Sequence, residues 1–222
     1  MTPQMTTDDQ TRMPLTRDRV LLAAIELADG VGVEALTIRK LAQELGVKPM
    51  SIYHHVPSKE AIIDGIVDMV FGEIDLPPAA TDWKTAIRHR SISMREVLNR
   101  HHWASPLMES RTSPGIATLR HHDAVLGCLF GGGLSTQMTA HAYAVIDSYV
   151  YGFALQEANL PFEDGEDISE LAAAMLDPFT ADQFPNLVQF TTDHVMQPGY
   201  AFSTSFEFGL DLILDGLEAN SK

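Results

Sequence analysis

Residues 37–60, TIRKLAQELGVKPMSIYHHVPSKE, constrain this chain more than any other stretch, because they specify two short helices joined by a tight turn. Thr37 is a good N-cap, and Ile38, Leu41, Ala42 and Leu45 follow at i, i+3, i+4 and i+7, one apolar helical face. Gly46 ends that helix, since it takes the left-handed conformation at no steric cost. Val47 turns inward, and Pro49 stands at the first helical position, where proline is tolerated. The second helix is about two turns long. It places Met50, Ser51, Tyr53, His54 and His55 around a surface whose buried side is Ile52 and Val56. Pro57 stops it and Ser58 caps the next helix. A helix this short must be held by its neighbours. That arrangement is a helix-turn-helix, whose second helix lies in the DNA major groove.

The apolar pattern is helical along the rest of the chain, and no strand is expected. Val20, Leu21, Ala24, Leu27 and Ala28 mark a first helix, from Thr16 to about Asp29. The helix from Ser58 carries Ile62, Ile63, Ile66, Val67, Val70 and Ile74, enough apolar surface to bridge two domains. DLPPAAT at 75–81 has two prolines and no periodicity, which makes it the clearest boundary. Asp82 caps a helix reaching to about Trp103, which Ser105-Pro106 breaks. Further helices are expected from Ser113-Pro114 to Gly131–Gly133, from Ser135 to about Glu157, around 168–176 and over about 202–218. Residues 177–199, with Pro178, Pro185 and Pro198, read as loop with at most brief helix. The expected architecture is therefore all-α. A disordered extension (1–14) precedes a three-helix helix-turn-helix domain (15–75) and a larger helical domain (76–222).

Two helices are apolar on more than one face, as helices buried on both sides are. In 135–157, Met138, Ala142, Val145, Tyr149 and Gly152 form one stripe, and Ile146, Val150 and Phe153 another. In 202–218, Phe206, Leu210, Ile213, Leu214 and Leu217 form one stripe, with Phe208 and Leu212 beside it. One side of each helix can serve the home core and the other a second copy of the chain. Gly152 and Gly209 would let backbones approach closely. The alternative is that both are central core helices of a monomer.

The formal charge of −15 argues against a nucleic-acid partner, because phosphate attraction supplies most non-specific affinity. Its distribution answers the objection. Residues 76–222 hold 8 Lys/Arg against 18 Asp/Glu, whereas residues 37–60 hold Arg39, Lys40, Lys48 and Lys59 against Glu44 and Glu60. No run reaches the roughly 18 apolar residues of a membrane span. MTPQMTTDDQTRMP lacks the apolar region of a signal peptide. Cys128 is the only cysteine, so neither an intrachain disulfide nor a cysteine-rich metal site is available. These features suit the cytoplasm.

Residues 16–75 resemble the DNA-binding domain of the tetracycline-repressor (TetR) family of bacterial transcription regulators. The likeness rests on a capped first helix, Gly32–Thr37 as G-x-x-x-L-T, then R-K-L-A-x-x-L-G-V and S-I-Y-H-H-V-x-S-K. HHWASPLMESR, DSYVYGFALQE and FEFGLDLILDGLE resemble that family's regulatory domain more weakly. The resemblance implies a homodimer whose two long C-terminal helices pair with those of the partner in a four-helix interface. It also implies operator DNA and a small-molecule effector as partners, and no cofactor. Carried over by position, Thr37 is a phosphate contact. Arg39 reaches a base edge, as arginine does at guanine. Lys48, Met50, Ser51 and His54 form the reading face, and Tyr53 and Lys59 hold the backbone on each side. Tyr53 as packing and Lys59 as a solvated charge are the plain alternatives when each is taken singly. His55 is expected to pack inward. Pro49 departs from members with a polar residue there and removes one base contact.

Nine histidines raise the question of a metal site. His101-His102 and His121-His122 are adjacent pairs without the i, i+4 spacing of a helical two-His site, so no metal is expected. His102, Trp103, Met108, Arg111, His122, Phe130, Tyr149 and Phe153 are instead candidate walls of a polar-edged cavity for the effector. Gly131–Gly133 lacks the spacing and the preceding strand of a phosphate loop, and no nucleophile sits in a recognised setting, so no enzyme is expected. The expected function is a ligand-responsive repressor released from its operator when a small molecule fills the C-terminal domain. The alternatives are an all-α binding protein or enzyme keeping a vestigial helix-turn-helix, and a metal-responsive regulator.

Overall fold

The computed structural model describes residues 14–79, 81–162, 168–176 and 183–220; most of the extension expected over 1–14 lies outside them. Among the described residues every regular element is helical. α1 (Arg17–Val31), α2 (Ile38–Glu44) and α3 (Pro49–Tyr53) form the head, and α4 (Lys59–Glu73) runs out of it. α5 (Trp83–Arg100), the single turn α6 (Ser105–Met108), α7 (Ile116–Gly131) and α8 (Thr136–Ala158) build the body. α9 (Ser169–Leu176), α10 (Pro185–Phe190) and α11 (Thr204–Asn220) complete it.

Local capping accounts for the starts of α1, α2, α4, α5 and α8. Thr16, Thr37, Ser58, Asp82 and Ser135 each accept from the backbone N–H three residues on, at 3.0 to 3.2 Å. Gly46 sits at φ 64°, the left-handed turn that lets Val47 N–H reach back to Ala42 O at 2.9 Å. α7 differs. Its N-cap is Gly115, and Asp68 from α4 accepts from Thr118 N–H at 2.8 Å, capping the helix from outside. Ser105-Pro106 opens α6, with proline in its first turn. Within 177–199, read as loop with at most brief helix, residues 185–195 are helical throughout, α10 passing into a π-helical turn at Thr191–Val195.

The core is continuous through α4. Leu21, Leu36, Leu41, Ile52, Ile62 and Ile66 close the head, and Phe71, Ile87, Met94, Leu98, Leu129 and Ile146 the body. α5 crosses α8, α7 and α11, while α4 lies between α1 and α7. No helix among the described residues is long and apolar enough to cross a membrane.

The expected dimer stripes do not keep together. Ala142, Phe206, Leu210 and Leu214 are buried inside this one chain, and Met138, Ile213 and Leu217 are half-buried against its core. Burial of Phe206, Leu210 and Leu214 sets this orientation, and ion pairs at its edge accord with it. Arg88 binds Asp211 and Glu207, and Lys84 binds Asp215 and Glu218, along the acidic edge of α11 that faces α5. Tyr149 also faces home, donating to Phe206 O at 2.9 Å over Gly209, where any Cβ would strike its hydroxyl. Val145 and Gly152 look outward, joined by Leu155 on α8 and by Phe208 and Leu212 on α11.

Candidate functional site: a reading head and a core cavity

The head presents the expected surface. Ile52 and Val56 are sealed beneath it, and Arg39, Lys48, Met50, Tyr53 and His54 are exposed above. Met50 is 69% and Tyr53 41% exposed, large side chains held out of the core at the tip of a five-residue helix. α3 is shorter than the two turns expected; a turn at His54-His55, closed by Val56 N–H on Ile52 O at 3.0 Å, extends its surface. Thr37 is exposed while its hydroxyl caps α2, and Ser51 and Lys59 are half-buried. His55 is half-buried too. Thr37, at the start of α2, and Lys59, at the start of α4, each stand beside backbone N–H groups suited to a phosphate.

Beneath the head, α4 is fastened to the α6–α7 segment by three carboxylates one helical turn apart. Arg111 donates through Nε to Asp64 at 2.6 Å and through Nη2 to Glu60 at 3.0 Å. Asp68 takes both Thr118 N–H and Thr118 Oγ1, each at 2.8 Å. A second tie joins the body to α1. Asp29 accepts from Trp103 Nε1 at 2.6 Å and meets His101 Nδ1 at 2.8 Å, while His101 Nε2 lies 3.2 Å from Glu73. Burial pushes the Glu73 carboxyl up, but hydrogen bonds from Arg100 and His101 outweigh it and hold its pKa below the ordinary value.

Between α4 and the α6–α7 segment lies a cavity of about 260 Å³. Asp64, Val67 and Phe71 line it from α4, Met108, Glu109 and Arg111 from the segment, Thr118, Leu119 and His122 from α7, and Tyr143 from α8. The His122 ring meets the Tyr143 hydroxyl through Nδ1 and tilts against Phe71 at 5.4 Å. Behind this wall sits a buried polar layer. Arg90, 1% exposed, donates to Asp147 at 2.6 Å and through Nε to His121 Nε2 at 3.0 Å. Burial first, then the Arg90 charge and His122, lower the His121 pKa to about 3, so the ring is neutral and accepts from Arg90. Burial likewise lowers His122 and raises Tyr143.

Of the eight side chains expected to line a cavity, Met108, Arg111 and His122 do so. His102 is exposed at the end of α5, and Phe130 is 46% exposed at the far end of α7. Trp103 is buried at the α1 junction, because its indole N–H has Asp29 to satisfy it. Tyr149 and Phe153 pack with Phe202 and Phe206 between α8 and α11. Phe71, Tyr143, Asp64 and Glu109 were not anticipated. Asp64 and Asp68 had a readable signal, two carboxylates at i, i+4 on a largely apolar helix, whereas Tyr143 reaches the site only through the fold. A wider cleft of about 530 Å³ opens between residues 77–79 and 81–83 on one side and the glycine-lined end of α7 on the other, with Asp82 as its one charged wall residue among those described. Among the described residues no three His, Cys, Asp or Glu side chains gather as a metal site.

The family model described as "Bacterial regulatory proteins, tetR family" matches residues 20–66, and "Tetracyclin repressor-like, C-terminal domain" matches 76–221. The chain belongs to the TetR family. Two curated relatives match over most of this chain. One is an HTH-type transcriptional regulator of Saccharopolyspora erythraea, 30% identical over 96% of this chain and 88% of that one. The other is the HTH-type transcriptional repressor DrrR1 of Streptomyces coeruleorubidus, 31% identical over 92% of this chain and 77% of its own length. Among solved structures, apo ActR from Streptomyces coelicolor superposes with a TM-score of 0.76 at 26% identity, covering 94% of this chain and 97% of that chain. ActR has also been solved in complex with actinorhodin, with the same TM-score and identity. This TetR-family chain is thus a DNA-binding transcriptional regulator, and α1–α3 are its reading head.

Proposed function

We propose that this chain is a homodimeric repressor whose operator affinity is set by a small molecule in the cavity beside α4. One observation carries this reading: the same helix, α4, leaves the reading head at Lys59 and forms a cavity wall at Asp64, Val67 and Phe71. A molecule seated there bears on both the α4 wall and the Arg111 and Asp68 fastenings. Two heads on one duplex must match successive major grooves about 34–36 Å apart, so a small tilt of α4 disengages them. The molecule shifts that balance only by its differential affinity for the two arrangements, and DNA weakens its binding by the same factor.

The reading residues are Thr37, Arg39, Lys48, Met50, Ser51, Tyr53, His54 and Lys59, divided as the sequence assigns them between backbone and base contacts. The boundary between the regulatory domain and the head lies at 75–81, and the protein acts in the cytoplasm, without enzymatic activity. The second copy covers the outward face of α8 and α11, where Val145, Leu155, Phe208 and Leu212 stand in solvent around the half-buried Gly152. A gel shift with the DNA flanking its own gene tests the reading. Sharp, sequence-selective retardation supports a repressor, and indifference to sequence contradicts it. Native mass spectrometry of freshly purified protein identifies any retained effector.

A further inference from the structure

The charge of the cavity walls limits what can enter. Asp64 and Glu109 are carboxylates, and Arg111 is the one guanidinium among the lining residues. Arg111 is already engaged, through Nε with Asp64 and through Nη2 with Glu60. Glu109 has no ion-pair partner among the described residues; Asp68, one turn along α4, lies outside the lining and is held by Thr118 at the start of α7. The remaining polar walls carry no charge near neutral pH: burial lowers His122 and raises Tyr143. An anion placed here meets carboxylates with no unengaged cation to receive it, in surroundings that screen charge less than water does. A cation meets the opposite situation. Phe71 and Tyr143 add aromatic faces of the kind that attract cations, and Val67, Met108 and Leu119 supply apolar walls. The volume, about 260 Å³, lies just below the usual range of ligand cavities, which begins at roughly 300 Å³.

Building on the effector reading above, we propose that the effector is a small aromatic cation, an amine carried on one or two rings, which takes Asp64 from Arg111. The replacement supplies the differential contact that release requires. With the Arg111–Asp64 pair intact, the α6–α7 segment is fastened to the helix below the head. With an ammonium group on Asp64, that fastening is undone and Arg111 keeps only Glu60, an exposed partner. DNA and the amine therefore favour opposite states of one ion pair.

Three probes of one shape test the charge: naphthylmethylamine, naphthylmethanol and naphthoic acid, titrated calorimetrically into the full-length protein without DNA. The amine binds at least about tenfold more tightly than the acid, with the alcohol between them. Asp64→Asn weakens the amine about tenfold and leaves the alcohol within about twofold; the exposed Glu109→Gln has a smaller effect in the same direction and does not touch the Arg111 fastening. Equal or tighter binding of the acid overturns the proposal, as does amine affinity unchanged in both variants or no binding of any probe at millimolar concentration. Operator retention, read separately by fluorescence anisotropy, keeps the two readings apart. Loss of DNA binding in the unmodified protein sinks the repressor, while a retained operator released by the acid sinks only the cation.

Discussion

Replacing His121 with glutamine flattens the acid limb of this protein's stability. The ring is fully buried, accepts from Arg90 at 3.0 Å, and has its pKa lowered to about 3 by burial and by the neighbouring guanidinium. In the unfolded chain the same imidazole titrates near 6.5. As pH falls through that value the unfolded state takes up a proton that the folded state refuses. Stability from this group is therefore complete above about pH 6.5 and is lost progressively down to about pH 3, at roughly 1.4 kcal/mol per pH unit. Between about pH 7 and pH 5 the loss is about 2 kcal/mol. Glutamine keeps an acceptor for Arg90 and cannot titrate. Urea unfolding of both proteins at those two pH values, at one fixed subunit concentration, measures the difference. The variant loses about 2 kcal/mol less than the parent on acidification. An identical pH dependence in the two would mean that His121 is not held neutral in the fold, and the buried layer of Arg90, Asp147 and His121 would need redrawing.

Other consequences follow from the same contacts. Asp147→Asn leaves the Arg90 charge buried without its partner, and equilibrium unfolding should fall by about 3–5 kcal/mol; a loss below about 1 kcal/mol would mean the guanidinium finds another anion. Gly115→Ala drives a Cβ into the Asp68 carboxylate, displacing the outside cap of α7 at about 1–3 kcal/mol, visible as a lowered melting temperature. Phe208→Asp with Leu212→Asp places two charges on the outward face of α11, and light scattering at micromolar concentration should then give the monomer mass with helicity retained. A dimer undiminished in that variant would place the partner elsewhere.

What could be read from the chain depended on how local each determinant is. The caps Thr16, Thr37, Ser58, Asp82 and Ser135 act on N–H groups three residues away, so their side chains alone announce the helices they start. The aspartate that caps α7 from outside, Asp68, belongs to α4, fifty residues before the Thr118 N–H it accepts from, and no local pattern near Gly115 reveals it. Periodicity found two apolar stripes on each long helix but not which one faces home. Packing against α5 and α8 decides that, and the ion pairs of Arg88 and Lys84 that accompany it join residues more than a hundred apart in sequence. The cavity was half legible for a similar reason. Met108 and Arg111 lie beside a visible helix break, whereas Phe130, Tyr149 and Phe153 are aromatic in the way core residues are, and composition alone does not separate a wall from a core.

The reading head is most directly tested by fluorescence anisotropy of four single variants on a duplex selected by the unmodified protein, each repeated on a scrambled duplex. Tyr53→Phe and Lys59→Ala should weaken both duplexes by similar factors, as lost backbone contacts do, and Ser51→Ala and His54→Ala should lower the preference for the selected one. Four variants that keep both the affinity and the preference of the parent would show that the surface of α3 does not read DNA.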